Sequence, residues 1–228
     1  MTGPVRHLGV AILRAVPSFL TGVLLVAAAA GLVAQQAPPW HETTSGYIQH
    51  LEDPHRIEWQ KPDEVMAKLR LKPGEAVADL GAGSGYFTLR FATAVGPQGK
   101  VYAVDILPGM LDYIRQRAQT EGIKNIELVQ ALPHDPKLPP ASVDMIFICD
   151  TLHHISDRPT YYPLLVKALR PGGRLVNIDF YKRPMSFGPP LAMKIRKQDM
   201  IGEAKAAGFH VVDDFDFLPD QYFLVFRQ

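Results

Sequence analysis

The chain has 228 residues, 47% hydrophobic and 21% charged, with a formal net charge of +1. That size and balance suit one well-buried globular domain. Apart from Arg6 and Arg14 near the N-terminus, 22 basic residues face 23 acidic ones, which argues against a nucleic-acid partner because no surplus cation is left for phosphate backbones.

Residues 1–14 carry Arg6, His7 and Arg14 and no acid, and residues 15–34 carry no charge at all. A basic start, an apolar middle and small residues before Gln35 are the pattern of a secretory signal peptide cleaved after Ala34. The run also has the length of an uncleaved membrane anchor. Both readings place the following domain on the non-cytoplasmic side, since the basic flank precedes the run and Glu42, Glu52 and Asp53 follow it.

Residues 35–60 read as a linker and a short N-terminal extension containing His55, Arg56, Trp59 and Gln60. The main domain is expected over 61–228. Pro62 with Asp63 and Glu64 predicts a helix start, running to about Leu71. Short apolar runs then alternate with helical stretches. Ala76–Leu80, Lys100–Val104, Ile126–Gln130, Val143–Cys149 and Arg174–Phe180 are expected as strands. Helices are expected over Tyr86–Val95, Pro108–Glu121 and about Tyr161–Leu169, the last closed by Pro171-Gly172-Gly173. A later helix ends near Ala207 with Gly208 as its left-handed cap. Val211–Phe217 and Tyr222–Phe226 are joined by too few residues for a crossover helix, so they form an antiparallel hairpin. The alternation predicts an α/β fold: a doubly wound, mostly parallel seven-stranded sheet finished by a C-terminal antiparallel hairpin.

The strongest local signal is Val77-Ala78-Asp79-Leu80-Gly81-Ala82-Gly83-Ser84-Gly85-Tyr86-Phe87, a buried strand running through a glycine turn into a helix. Glycine lets the backbone approach a ligand at the carboxyl end of the strand, where open α/β sheets bind cofactors. Asp105 closes the next strand, 20 residues after Gly85, where a carboxylate can accept bonds from both ribose hydroxyls of an adenosine. A nicotinamide dinucleotide site shares that geometry. Its fingerprint is G-x-G-x-x-G, however, whereas this turn reads G-x-G-x-G, and Asp79 would repel a pyrophosphate but receive an amino group.

On these residues, 60–228 resembles the class I S-adenosylmethionine-dependent methyltransferases. VADLGAGSGYF is similar to the superfamily's first motif, VYAVDI to its second-strand motif, and LRPGGRLVNIDF to its fifth-strand motif. The resemblance implies S-adenosyl-L-methionine as cofactor, with Asp79, Gly81, Gly83 and Gly85 around its methionine part and Asp105 on its ribose. It also implies Ile106 and Leu107 beside the adenine. The family often has an acid contacting the adenine amino group after the third strand. Here Leu132 stands near that place and Asp135 follows, so either Asp135 or the Leu132 backbone is expected there. Tyr86 and Trp59 either cover the sulfonium or pack in the core.

Asp150, His153 and His154 follow the fourth strand, where the resemblance places side chains facing the transferring methyl. Asp150 is a candidate for holding substrate or cofactor, and either histidine is a candidate base. A purely structural role for one histidine is the competing reading. Asp179 and Tyr181 are secondary candidates. No metal is expected, because adjacent histidines point apart and no third ligand has a useful spacing. Cys149, the single cysteine, reads as a buried inert thiol, and Lys194, Arg196 and Lys197 as a solvated face. The expected activity is methyl transfer to a small-molecule acceptor, apolar or membrane-derived in view of the leader. A non-catalytic binding module and a nicotinamide-dependent oxidoreductase are the rivals. Export of the domain conflicts with the cytoplasmic supply of S-adenosylmethionine, and both expectations stand.

Overall fold

The computed structural model describes residues 1–3 and 43–228, so the expected leader lies outside the described residues. Among the described residues no helix is long and apolar enough to cross a membrane.

Three helices come first: α1 (Thr44–Leu51), α2 (Arg56–Gln60) and α3 (Pro62–Leu69). The part of the expected linker and extension described here is therefore mostly helical. The Thr43 hydroxyl caps α1 by accepting from the Gly46 N–H at 3.0 Å, and Pro62 opens α3 as expected. The remainder alternates as β1 (Ala76–Leu80), α4 (Thr88–Val95), β2 (Lys100–Asp105), α5 (Pro108–Thr120), β3 (Ile126–Gln130) and β4 (Val143–Cys149). A single 3-10 turn (Leu152–His154) precedes α6 (Arg158–Ala168), β5 (Leu169–Phe180), α7 (Lys197–Ala206), β6 (His210–Phe215) and β7 (Gln221–Arg227).

The seven strands lie in the order β3-β2-β1-β4-β5-β7-β6, with β7 antiparallel to both β5 and β6. The expected hairpin is thus present, and its second strand is inserted between the first and β5. The register of β4 on β5 jumps from Val143 opposite Leu169 to Met145 opposite Arg174. Arg170-Pro171-Gly172-Gly173 of β5 stand against Asp144 alone, a bulge of three extra residues, so the expected helix stop falls inside a longer strand.

Alternate side chains of the sheet feed two cores. Ala78, Tyr102, Ile146, Leu175, Tyr222 and Leu224 pack with α6 and α7 through Tyr162, Leu165, Met200 and Ala204. Val77, Val101, Phe147, Val176 and Phe223 pack with α3 and α4 through Val65, Leu69, Phe91 and Val95. α4 begins at Thr88, and its inward residues after Phe91 are Ala92 and Val95, with Ala94 half-buried at the edge of that face. Burial on both faces fixes the carboxyl ends of β1, β2, β4 and β5 along one edge, and the chemistry-bearing residues stand there.

Candidate functional site

The turn after β1 is held open by backbone geometry. Gly81, Gly83 and Gly85 have φ of +77°, +53° and +82°. A Cβ on Gly81 would stand 2.1 Å from the Thr151 hydroxyl, so glycine is required there for both conformation and space. The Gly81 and Ala82 N–H groups donate to the Val104 carbonyl at 2.8 and 3.0 Å, extending the β1–β2 pairing into the turn.

Asp105, only 8% exposed, ties the turn to the end of β2. One carboxylate oxygen accepts from the Gly83 N–H at 2.8 Å and the other from the Leu107 N–H at 2.9 Å. Burial raises its pKa, and the N–H groups of Leu107, Gly83 and Ile106 oppose that shift. A carboxylate accepts up to about four bonds, so capacity remains for vicinal hydroxyls. Next to it Ile106, Leu107 and Leu132 are 50%, 41% and 42% exposed, an uncovered apolar surface suited to a flat ring.

Leu132 and Asp135 form one tight turn, in which the Leu132 N–H donates to the Asp135 carbonyl at 2.9 Å and the Asp135 N–H to Leu132 at 3.1 Å. The Asp135 carboxylate is engaged by the Lys137 N–H and ammonium, both at 2.8 Å, and that pairing lowers its pKa. Both adenine candidates therefore already have partners inside their own turn, and the apolar Leu132 side chain is what this turn exposes.

Two further acids stand at the ends of β1 and β4, Asp79 buried and Asp150 half-buried. Asp79 accepts from the Thr88 hydroxyl at 2.6 Å, and burial pushes its pKa up to about 7. Asp150, in a left-handed conformation (φ +53°), accepts from the Gln221 amide at 2.5 Å. Burial and the charge of Asp179 push its pKa up to about 7 as well. Arg56 is the cation that acts on both acids.

The described end of the extension roofs this edge. Leu51 packs where a Cβ on Gly83 would stand, and Thr44 where one on Gly109 would stand. Glu52 accepts from the Ser84 hydroxyl at 2.5 Å and from Arg117 at 2.9 Å. Tyr47 lies within the electrostatic reach of both Asp105 and Asp150, and burial raises its pKa. From α2, Arg56 donates to Gln60 at 3.3 Å, Gln60 to Gln221 at 2.6 Å, and Gln221 on to Asp150. Tyr47, Arg56, Gln60 and Gln221 belong to no motif of the sequence. Arg56 and Gln60 stand four apart on one helical face beside Trp59, a spacing that was the only available signal.

The structure separates the two histidines. His153 Nδ1 lies 2.8 Å from Asp179 Oδ1, with both side chains almost fully buried. Burial opposes protonation of His153, but its hydrogen bond and charge interaction with Asp179 outweigh this, and its pKa is raised. His154 is exposed, its ring 4.3 Å from that of His153. Both line a cleft of about 420 Å³ with Lys182, Met193, Lys194 and Ile195.

Other candidates fall elsewhere. The Tyr86 ring centre lies 4.1 and 4.3 Å from the guanidinium carbons of Arg56 and Arg90. Trp59 packs on Phe180 and Phe187, and Tyr181 packs edge-on against Tyr222. Cys149 is half-buried, and burial pushes its thiol up. Lys194 corrects the expectation of a solvated face. It is 2% exposed and donates to the Arg183 carbonyl at 3.0 Å, because the loop after β5 folds over it. Arg196 and Lys197 are paired with Asp199 and Asp214.

This strand order, with a glycine turn after β1 and an acid ending β2, defines the class I S-adenosylmethionine-dependent methyltransferases. The family described as a methyltransferase domain matches residues 71–208, more than half of the chain, and the chain belongs to it. Its cofactor is accordingly S-adenosylmethionine. A ubiquinone/menaquinone biosynthesis C-methyltransferase of Francisella philomiragia is 35% identical over 129 residues, covering 56% of this chain and 50% of that protein. Its counterpart in Ectopseudomonas mendocina is 31% identical over 163 residues, covering 71% and 61%. The chain thus spans about half to three fifths of the length of these relatives. A crystal structure of an S-adenosylmethionine-dependent methyltransferase from Aquifex aeolicus superposes with a TM-score of 0.75 at 28% identity, covering 81% of this chain and 97% of that one.

The residues present fit that cofactor. A glycine cradle admits close backbone approach, the buried Asp79 and half-buried Asp150 suit ammonium and sulfonium charges, Asp105 suits the ribose, and exposed apolar side chains suit the adenine.

Proposed function

We propose that this chain transfers the methyl group of S-adenosylmethionine to an apolar phenol- or quinol-type small molecule, with His153 as the base and Asp179 as its positioning residue. The observation that carries the reading is the His153–Asp179 contact of 2.8 Å beside the cleft at the ends of β4 and β5. A donor at Nδ1 facing Asp179 leaves Nε2 to accept a proton. The names of the two quinone-pathway relatives support an aromatic acceptor, and the uncharged run at 15–34 supports one drawn from a membrane.

Bound S-adenosylmethionine supplies an electrophilic methyl on a positively charged sulfur. The chain has to hold the acceptor atom about 3 Å from that methyl, in line with the sulfur, and keep water out. Asp79, Asp105, Asp150 and the glycine turn bind and orient. The roof made by α1 and α2 excludes water. His153 takes the hydroxyl proton of the acceptor, which raises electron density at the oxygen and at the ring carbons next to it.

Calorimetric titration with S-adenosylmethionine tests the first half. Binding is expected, and Asp105→Ala should weaken it by about 1–3 kcal/mol, the range for losing a partner of buried polar groups. Methyl transfer from labelled cofactor to a panel of phenols, quinols, thiols and soluble peptides tests the second. Turnover confined to thiols or peptides, or wild-type turnover retained in His153→Ala, would overturn the assignment. Binding of a nicotinamide dinucleotide in place of S-adenosylmethionine would overturn the class of reaction.

A further inference from the structure

We infer that Arg56 is the carboxylate clamp for the amino-acid end of the cofactor, an inference that rests on the S-adenosylmethionine reading above. A buried cation is costly unless it is paired. Arg56 is 8% exposed, yet both of its hydrogen bonds go to neutral acceptors, the Leu51 carbonyl at 2.9 Å and the Gln60 side-chain oxygen at 3.3 Å. Its Nε is buried with no partner. A guanidinium has five N–H groups, so three are left over. Nε and the Nη next to it form the edge that grips a carboxylate through two parallel bonds.

The place of that edge matches the ligand. Arg56 lies over the ring of Tyr86, the residue after Gly85, at 4.1 Å. Its charge reaches Asp79 at the end of β1 and Asp150 after β4. The methionine end of the cofactor carries an ammonium and a carboxylate on one carbon. The buried Asp79 and half-buried Asp150 suit the ammonium but repel the carboxylate, and the guanidinium at the same corner is the group that offsets this repulsion. The Gln60–Gln221 link then makes Arg56 part of one rigid unit with Asp150, so both charges of the ligand meet a fixed counter-charge.

The test compares S-adenosylmethionine with its decarboxylated form, which lacks only the carboxylate, by calorimetry on the full chain. The wild type is expected to prefer S-adenosylmethionine by about tenfold or more, as for a charged hydrogen-bond pair. Arg56→Met should bring the ratio close to one by weakening S-adenosylmethionine far more than the decarboxylated form. Arg56→Lys keeps the charge, loses the two-pronged edge and should fall between. The ratio does not depend on how much of each sample is folded, and Arg56→Lys carries the test if Arg56→Met does not fold. An unchanged ratio in the variants, or equal loss for both ligands, overturns the clamp. Failure of the wild type to bind S-adenosylmethionine overturns the cofactor reading instead.

Discussion

His153 and Asp179, 26 positions apart, meet through a 2.8 Å Nδ1–Oδ1 contact where β4 and β5 end side by side. The other Asp179 oxygen is buried without a partner, and Tyr222 stands opposite Asp179 on β7. The pair therefore has a fixed geometry and a fixed direction, with the carboxylate behind and the imidazole in front.

Removing the imidazole should cost most. His153→Ala is expected to lower kcat by about 10²–10⁴-fold, the usual contribution of a positioned base. Asp179→Asn should cost less and shift the acid limb of the kcat profile to lower pH, because the carboxylate is what raises the pKa of His153. A profile of Asp179→Asn that coincides with the wild type would remove the pair from the mechanism.

The glycine turn should tolerate no side chain at its first position. Gly81→Ala forces an L-residue into φ +77° and drives its methyl into Thr151. About 1–2 kcal/mol is expected from the backbone and about 1–3 kcal/mol from overpacking, read by urea denaturation. Combining it with Thr151→Gly should recover the packing part alone. Full recovery would mean that the backbone conformation costs nothing.

The Gln60–Gln221 contact joins α2 to β7 across 161 positions. Gln60→Ala leaves a Gln221 oxygen and an Arg56 N–H buried without partners, which should destabilise the fold by about 1–3 kcal/mol. Gln60→Leu in a Gln221→Leu background should cost less than the sum of the single changes, since both partners vanish together. Additive losses in chemical denaturation would show that the two amides do not interact.

Asp79 and Asp150 set a pH dependence. Each has a pKa of about 7 in the folded state against 3.8 for a free carboxyl. Between those values the native state binds more protons than the unfolded chain, so these two groups make stability fall as pH rises from about 4 to about 7. A cationic ligand favours the ionised carboxylates. Its binding near pH 6.5 should release protons, and its thermal stabilisation should be larger at pH 8 than at pH 5.5. Calorimetry in two buffers of different ionisation enthalpy measures the release, and proton uptake would contradict the assignment of these acids to a cation.

Much of this molecule was legible one residue at a time. Within β4 the stretch Met145–Cys149 is an uninterrupted apolar run because both faces of a parallel sheet are covered, and Gly81, Asp79 and Asp105 stand at the strand ends where a close backbone turn and acids are expected. The short helices α1 and α2 were not legible. They are short and, unlike α3, open on no proline–acid signal, and they pack on the glycine turn and the residues after it through Leu51, Glu52 and Arg56. The choice between the two histidines was equally hidden, since adjacent positions look alike until one ring meets a buried carboxylate.

The sequence by itself determined the class of sheet and the order of its elements, because those depend on local periodicity and on turn residues at fixed offsets. Only the tertiary structure decided which polar groups converge from distant positions. Arg56, Gln60, Asp150, His153, Asp179 and Gln221 acquire their partners, their burial and the raised pKa values among them when the roof closes on the sheet edge, and no local pattern encodes a contact made across 161 residues.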